Sequence, residues 1–221
     1  VVLGLPSDVV TGLCEDMTET IRYVQPPRPP LNPGQVARAA DWLAAAVRPL
    51  VIAGAGAWWG AAGAGLARLR DLGIPVTANG LGRGVLAEEW TSSFSWPFAQ
   101  LAARHADCVL LVGARLTQRL GFGLPPRFSP QARFIQVDIC AEEAHRIRPI
   151  DMFIHADAGQ ATEAIAAALE CAARPPPRRI AWLKEALAPR FAAVARLRDD
   201  TRDRGNGAMH PVDVLILNGQ L

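Results

Sequence analysis

Arg48-Pro49-Leu50-Val51-Ile52-Ala53-Gly54-Ala55-Gly56-Ala57 decides how the rest of this chain is read. An unbroken apolar run does not suit a strand with one face in water, because such a strand places every second side chain in solvent. It suits a short strand buried on both faces, and the glycine-alanine stretch after it suits a tight exit into a helix. The pattern then repeats. Ile74 to Ala78 runs into Asn79-Gly80-Leu81-Gly82-Arg83-Gly84, Cys108 to Val112 into Gly113-Ala114-Arg115, Arg133 to Ile139 carries Asp138, and Met152 to Ala156 closes on Asp157. Helical stretches lie between them: Ala61 to Leu72 with Gly73 as its stop, Pro97 to His105, a short one over Ala141 to Arg146, and Ala158 to about Cys171. Short non-alternating strands separated by helices specify an α/β fold: a doubly wound, mostly parallel sheet of about six strands with helices on both faces. N- and C-terminal arms flank it.

The arms have their own signatures. Val1 to Val9 reads as a short strand ending in a proline turn, the tail of something upstream, over residues 1–21. Residues 22–33 hold Pro26, Pro27, Pro29, Pro30 and Pro33, which makes a semi-rigid linker. Asn32 and Pro33 form an N-cap and first-position pair for a helix with the apolar stripe Val36, Ala39, Ala40, Leu43 and Val47. The central domain is expected over 34–173. Pro175-Pro176-Pro177 opens a linker and final helix, 174–207, in which Trp182, Leu183, Leu187, Phe191 and Val194 supply a packing face. Residues 208–221 read as the truncated opening helix of a further domain.

Composition narrows the partners. A net charge of +2, with basic residues spread along the chain, gives too weak a field for nonspecific nucleic-acid binding. No apolar run reaches the roughly 18 residues a membrane helix needs, so a cytoplasmic protein without a membrane partner is expected. Cys14, Cys108, Cys140 and Cys171 form no C-x-x-C pair and read as buried or incidental thiols of a reducing compartment. His105, His145, His155 and His210 share no ligand spacing, so no metal site is assigned. No nucleophile elbow, Walker motif or paired-carboxylate arrangement occurs, and no catalytic residue is assigned either.

What remains is a rim. In a parallel sheet all the carboxyl-end loops fall on one edge, where open α/β sheets bind ligands. Gly54 and Gly56 could turn amides toward an anion, although the G-x-G-x-x-G fingerprint fails, with Trp at 59 and Gly60 one residue late. Gly80, Gly82 and Arg83 bring a guanidinium that pairs with phosphate, or they form a tight turn with Arg83 in solvent. Gly113 and Arg115 repeat the theme. Asp138, with Ile139 beside it, suits a ribose or adenine contact, and Asp157 is placed similarly; either could instead cap a helix. Trp58-Trp59 serves packing, a subunit contact or cofactor stacking.

These stretches, together with Leu72-Gly73-Ile74-Pro75-Val76, Ala106-Asp107 and Arg119-Leu120-Gly121-Phe122-Gly123-Leu124-Pro125-Pro126-Arg127-Phe128, resemble the central domain of thiamine-diphosphate-dependent enzymes. The group is that of acetolactate synthase, oxalyl-CoA decarboxylase, 2-hydroxyacyl-CoA lyase and benzaldehyde lyase, and the likeness runs over about residues 30 to 172. The resemblance implies a parent enzyme using thiamine diphosphate and magnesium for 2-oxo acid carboligation, decarboxylation or lyase chemistry, as a homodimer or tetramer. It implies that 1–21 end a pyrimidine-binding domain and 208–221 begin a diphosphate-binding domain. The central domain would then be non-catalytic and bind FAD, ADP or nothing, with Gly54, Gly56, Gly80, Gly82, Arg83, Gly113, Arg115, Asp138, Ile139 and Asp157 lining the nucleotide. Trp58-Trp59 and Glu88-Glu89-Trp90 depart from the family pattern and bear on flavin occupancy. Electron-transfer flavoproteins and NAD-dependent deacetylases share the topology but not these terminal or zinc-cysteine patterns.

Overall fold

A computed structural model describes residues 4–13, 24, 26–86, 93–95 and 100–172, with scattered positions between 181 and 196. Six strands form one sheet: β1 Pro49–Ala53, β2 Val76–Ala78, β3 Ser93–Ser95, β4 Cys108–Val112, β5 Arg133–Asp138 and β6 Met152–His155. Their order is β3-β2-β1-β4-β5-β6, and every pairing is parallel. Five of the strands match those expected from apolar runs. β3, with its serines, carries no such run and was not anticipated.

The helices are α1 Ser7–Val10, α2 Pro33–Ala45, α3 Ala55–Trp59, α4 Gly63–Asp71, α5 Gln100–His105 and α6 Ala158–Ala172. β1 and β4 are buried at every position, as strands covered on both faces must be. One face packs Val51, Leu110, Ile135 and Ile154 against Leu43, Leu66 and Ile165 of α2, α4 and α6. The other packs Leu50, Ile52, Leu111 and Phe134 against Phe128, Leu120 and Trp182. Two cores on opposite faces of one sheet confirm the doubly wound arrangement.

Local chemistry sets the element ends. Asn32 caps α2 through its side-chain oxygen, which accepts from Gly34 N at 2.9 Å and Gln35 N at 3.3 Å, with Pro33 in the first turn as expected. Gly73, at φ 80°, ends the segment after α4. The helix expected over Ala61 to Leu72 is α4, and the stretch read as a glycine loop before it holds a further short helix, α3, the two separated at Gly60 and Ala61, whose φ is 51°. The break has a packing cause: Gly60 abuts the start of α6, where a β-carbon on it would lie 3.0 Å from Ala158 Cβ.

At the N-terminus the first three residues of the expected strand lie outside the described residues, and the turn expected at Pro6 is the start of a helix. Ser7–Val10 is a helical turn led by Pro6, with Asp8 in its first turn. Proline followed by serine and aspartate is a helix-start signal that outweighs the β-branched Val9 and Val10. The short helix expected after β5 is a 3-10 turn over Ala141–Glu143. Positions 181, 182 and 184–186 are helical, and Trp182 is buried with its indole N–H donating to Pro49 O at 2.8 Å, as its place on a packing face requires. Residues 1–3, Glu88-Glu89-Trp90, the proline run 175–177, Cys14 and the segment 208–221 lie outside the described residues.

Asp107, just before β4, shows what one family-motif residue does. Its carboxylate accepts from Val47 N at 2.8 Å and Arg48 N at 2.9 Å, clamping the turn between α2 and β1. Asp107→Ala leaves both amides to water at an exposed turn and is expected to cost about 1 to 2 kcal/mol. A urea midpoint unchanged from wild type would contradict that role. Among the described residues, no helix is long and apolar enough to cross a membrane.

Candidate functional site

Because all six strands are parallel, the loops after β1, β2, β4, β5 and β6 share one edge. β1 lies between β2 and β4, so the chain reverses its direction of progress across the sheet at the β1/β4 boundary. This is the topological switch point where open α/β sheets bind ligands. The loops there do not splay apart. Gly56 N donates to Gly113 O at 3.0 Å, and Gly54 N to Val112 O at 2.9 Å. A β-carbon on Gly54 would overlap the Gly113 carbonyl, and one on Gly113, at φ 52°, would overlap Gly56 Cα. These glycines let two backbones touch. Ala57 N is also engaged, by Gly54 O at 3.1 Å, so this loop has few amides left for an anion.

Two cavities border that contact. One, of about 520 Å³, is lined by Pro26, Pro27, Arg28 and Pro29 of the linker and by Gly56, Trp59, Gly113, Asp138, Ile139 and Asp157. The other, of about 450 Å³, is lined by Gly54, Gly56, Trp59, Asn79, Gly80, Gly113, Arg115, Thr117, Asp138, Ile139 and Cys140, among others. A third hollow of about 650 Å³ lies between Trp58 and Trp59 and the loop of Gly80, Leu81, Arg83 and Gly84. Nine of the ten residues expected at the rim therefore line this edge. Gly82 does not: it packs beneath, where a β-carbon would overlap Ala53 O.

Each charged group has a defined setting. Asp138 is buried and accepts from Cys140 N at 3.0 Å. Burial first, and the nearby Glu143 charge next among the effects acting in that direction, raise its pKa, against the Cys140 amide and Arg115. Arg115 Nε lies 3.1 Å from Glu143 Oε1, and Arg146 Nη1 lies 2.7 Å from the same oxygen. The buried Glu143 thus tethers an otherwise exposed guanidinium at the cavity wall. Asp157 does both things open to it. Its Oδ1 accepts from Gln160 N at 3.1 Å, capping α6, while Oδ2 faces Arg28 Nε at 3.6 Å. Sequence reasoning missed Arg28, because a linker arginine carries no signal that the chain will fold back over the rim.

Among the described residues, two thiols and two imidazoles have defined local settings. Cys108 is buried in β4, and burial pushes its thiol up to about 12. Cys140 Sγ lies 3.0 Å from Glu142 Oε2. His145 Nδ1 accepts from Ile150 N at 3.0 Å, and His155 Nε2 bonds Ile139 O at 2.9 Å.

Fold and rim together define a doubly wound α/β domain whose strand-end loops meet at the switch point. Residues 36–165 match the family described as thiamine pyrophosphate enzyme, central domain, and the chain belongs to that family. Human 2-hydroxyacyl-CoA lyase 1 is 34% identical over 158 residues, 66% of this chain and 26% of that protein. Oxalyl-CoA decarboxylase of Escherichia coli K12 is 32% identical over 180 residues, 77% of this chain and 31% of that one. The acetolactate synthase large subunit of Mycobacterium tuberculosis is 35% identical over 130 residues, 58% of this chain and 23% of that one. The X-ray structure of a Mycobacterium smegmatis protein described as thiamin diphosphate-dependent superposes with a TM-score of 0.58 at 19% identity, covering 72% of this chain and 31% of that one, and supports the fold. The matched part of this chain spans about a quarter to a third of these relatives.

Proposed function

We propose that this chain is the central domain of a thiamine-diphosphate-dependent enzyme that performs carboligation, decarboxylation or C–C cleavage at a 2-oxo acid or acyl-CoA centre, and that its own task is to bind an adenine nucleotide. In the whole enzyme, thiamine diphosphate and magnesium, held by the flanking pyrimidine- and diphosphate-binding domains, would supply the acyl-anion chemistry. The whole enzyme would be a cytoplasmic homodimer or tetramer, with no nucleic-acid or membrane partner.

The observation that carries the nucleotide reading is that Asp138 and Ile139 line both cavities, with Asp157 in one and Arg115 in the other. Buried carboxylates accept hydrogen bonds from ribose hydroxyls, and a tethered guanidinium pairs with phosphate. A ligand with ribose at Asp138 and a diphosphate reaching Arg115 uses both. With the Gly54, Gly56 and Ala57 amides engaged, phosphate would be held by side chains and not by a glycine cradle. ADP fits this better than FAD, because Trp59 already stands where the two cavities meet.

The closed contact between Gly54 and Gly113 favours a second reading, a scaffold that only spaces the cofactor domains. Calorimetric titration of the 221-residue chain separates them. ADP is expected to bind saturably at micromolar concentration and more tightly than FAD or NAD. Absence of binding heat up to millimolar with all three would leave the scaffold reading.

A further inference from the structure

Trp59 is 78% exposed and Trp58 is 50% exposed, on a short helix at the ligand edge. Large indoles in water offer stability little, and here they stand against a concave surface. Trp59 has a position that Trp58 lacks: it lines the cavity on the Asp157 side, the cavity on the Arg115 side and the hollow beside Leu81. Trp58 lines only the last.

The cavity on the Asp157 side is chemically divided. Asp138, Asp157 and Arg28 form its polar part. The remainder includes Pro26, Pro27, Pro29 and the Trp59 indole, rigid apolar groups with no donor apart from the indole N–H. Ribose hydroxyls and phosphates have no use for such walls. A flat aromatic ring does, because every base has a π-face that stacks on an indole whatever its edge pattern.

We infer that Trp59 is a ligand-binding residue that stacks on the purine ring of the bound nucleotide and so selects ligands carrying a base. This rests on the nucleotide reading above and adds to it the part of the ligand that Asp138 and Arg115 do not address. Losing a stacking indole weakens a base-containing ligand by roughly tenfold and leaves a ligand without a base untouched.

The test titrates wild type, Trp59→Phe and Trp59→Ala with ADP and with ribose 5-diphosphate, which lacks the base, by calorimetry. Trp59 is exposed, so neither substitution removes core packing, and unchanged melting temperatures verify this. The expected result is an ADP affinity about tenfold lower in Trp59→Ala and within about threefold of wild type in Trp59→Phe, with ribose 5-diphosphate affinity the same in all three. Equal ADP affinity in wild type and Trp59→Ala would overturn the stacking assignment and leave the nucleotide site standing. An equal loss for both ligands in Trp59→Ala would also overturn it, since that reports a distorted groove. Wild type that binds neither ligand removes the site itself, a failure distinct from the other two.

Discussion

Gly113→Ala is expected to destabilise the chain by about 2 to 5 kcal/mol, a large share of the stability if the wild type sits at the low end of the ordinary margin of about 5 to 15 kcal/mol. Two effects add. An L-residue at φ 52° costs about 1 to 2 kcal/mol, and the new methyl group overlaps Gly56 Cα and lies 2.7 Å from Ala57 N, an overpacking worth about 1 to 3 kcal/mol against backbone that cannot rotate away. Two further variants separate these effects. Gly54 has φ −109°, which any residue adopts, so Gly54→Ala reports overlap alone, with Gly113 O and Ala114, and is expected to cost about 2 to 3 kcal/mol. Gly80 has φ 57° and open space around it, so Gly80→Ala reports the backbone effect alone, about 1 kcal/mol. Urea unfolding followed by circular dichroism gives all three values. If Gly54→Ala falls within about 0.5 kcal/mol of wild type, the two loops do not hold the switch point closed by backbone contact.

That contact marks where reading the sequence stops. Pro49 to Ala53 and Cys108 to Val112 announce buried parallel strands, because an unbroken apolar run has few other uses, and the glycines after them announce tight exits. Parallel geometry alone then puts Gly54, Gly80, Gly113, Asp138 and Asp157 on one edge. What each glycine does there is not local information. Gly54 and Gly113 are 59 residues apart in the chain and turn out to serve each other, whereas Gly80 faces open space and Gly82 sits beneath the rim. Arg28 and the linker prolines were legible only as a linker, since their return to Asp157 depends on tertiary folding. β3 was invisible for a simpler reason: Ser93-Phe94-Ser95 lacks the continuous apolar run that marked the other strands. Phe122, at φ 55° between Gly121 and Gly123, is likewise a non-glycine in a left-handed turn that propensity would not place there.

Asp138→Asn is expected to lower ADP affinity by roughly 10- to 150-fold, the factor that corresponds to about 1.5 to 3 kcal/mol for a hydrogen bond to a charged acceptor, while folding stability at pH 7 holds or rises. The opposite directions follow from one cause. Burial raises the Asp138 pKa, so the folded chain carries this carboxylate in its charged form at a loss. A carboxyl whose pKa is higher folded than unfolded stabilises most fully below the ordinary carboxylate range, and that contribution disappears as pH rises through the folded value. Asparagine keeps an oxygen for the Cys140 amide, bonded at 3.0 Å in the wild type, without the buried charge. The difference in melting temperature, variant minus wild type, should therefore be smallest at pH 4 and below and grow toward neutral pH. Calorimetric titration with ADP and thermal melts of both proteins from pH 4 to 8 provide the comparison. Should Asp138→Asn bind ADP as wild type does, the carboxylate is not the ribose contact; should it melt well below wild type at pH 7, Asp138 is holding the loop after β5 and its charge answers to the fold.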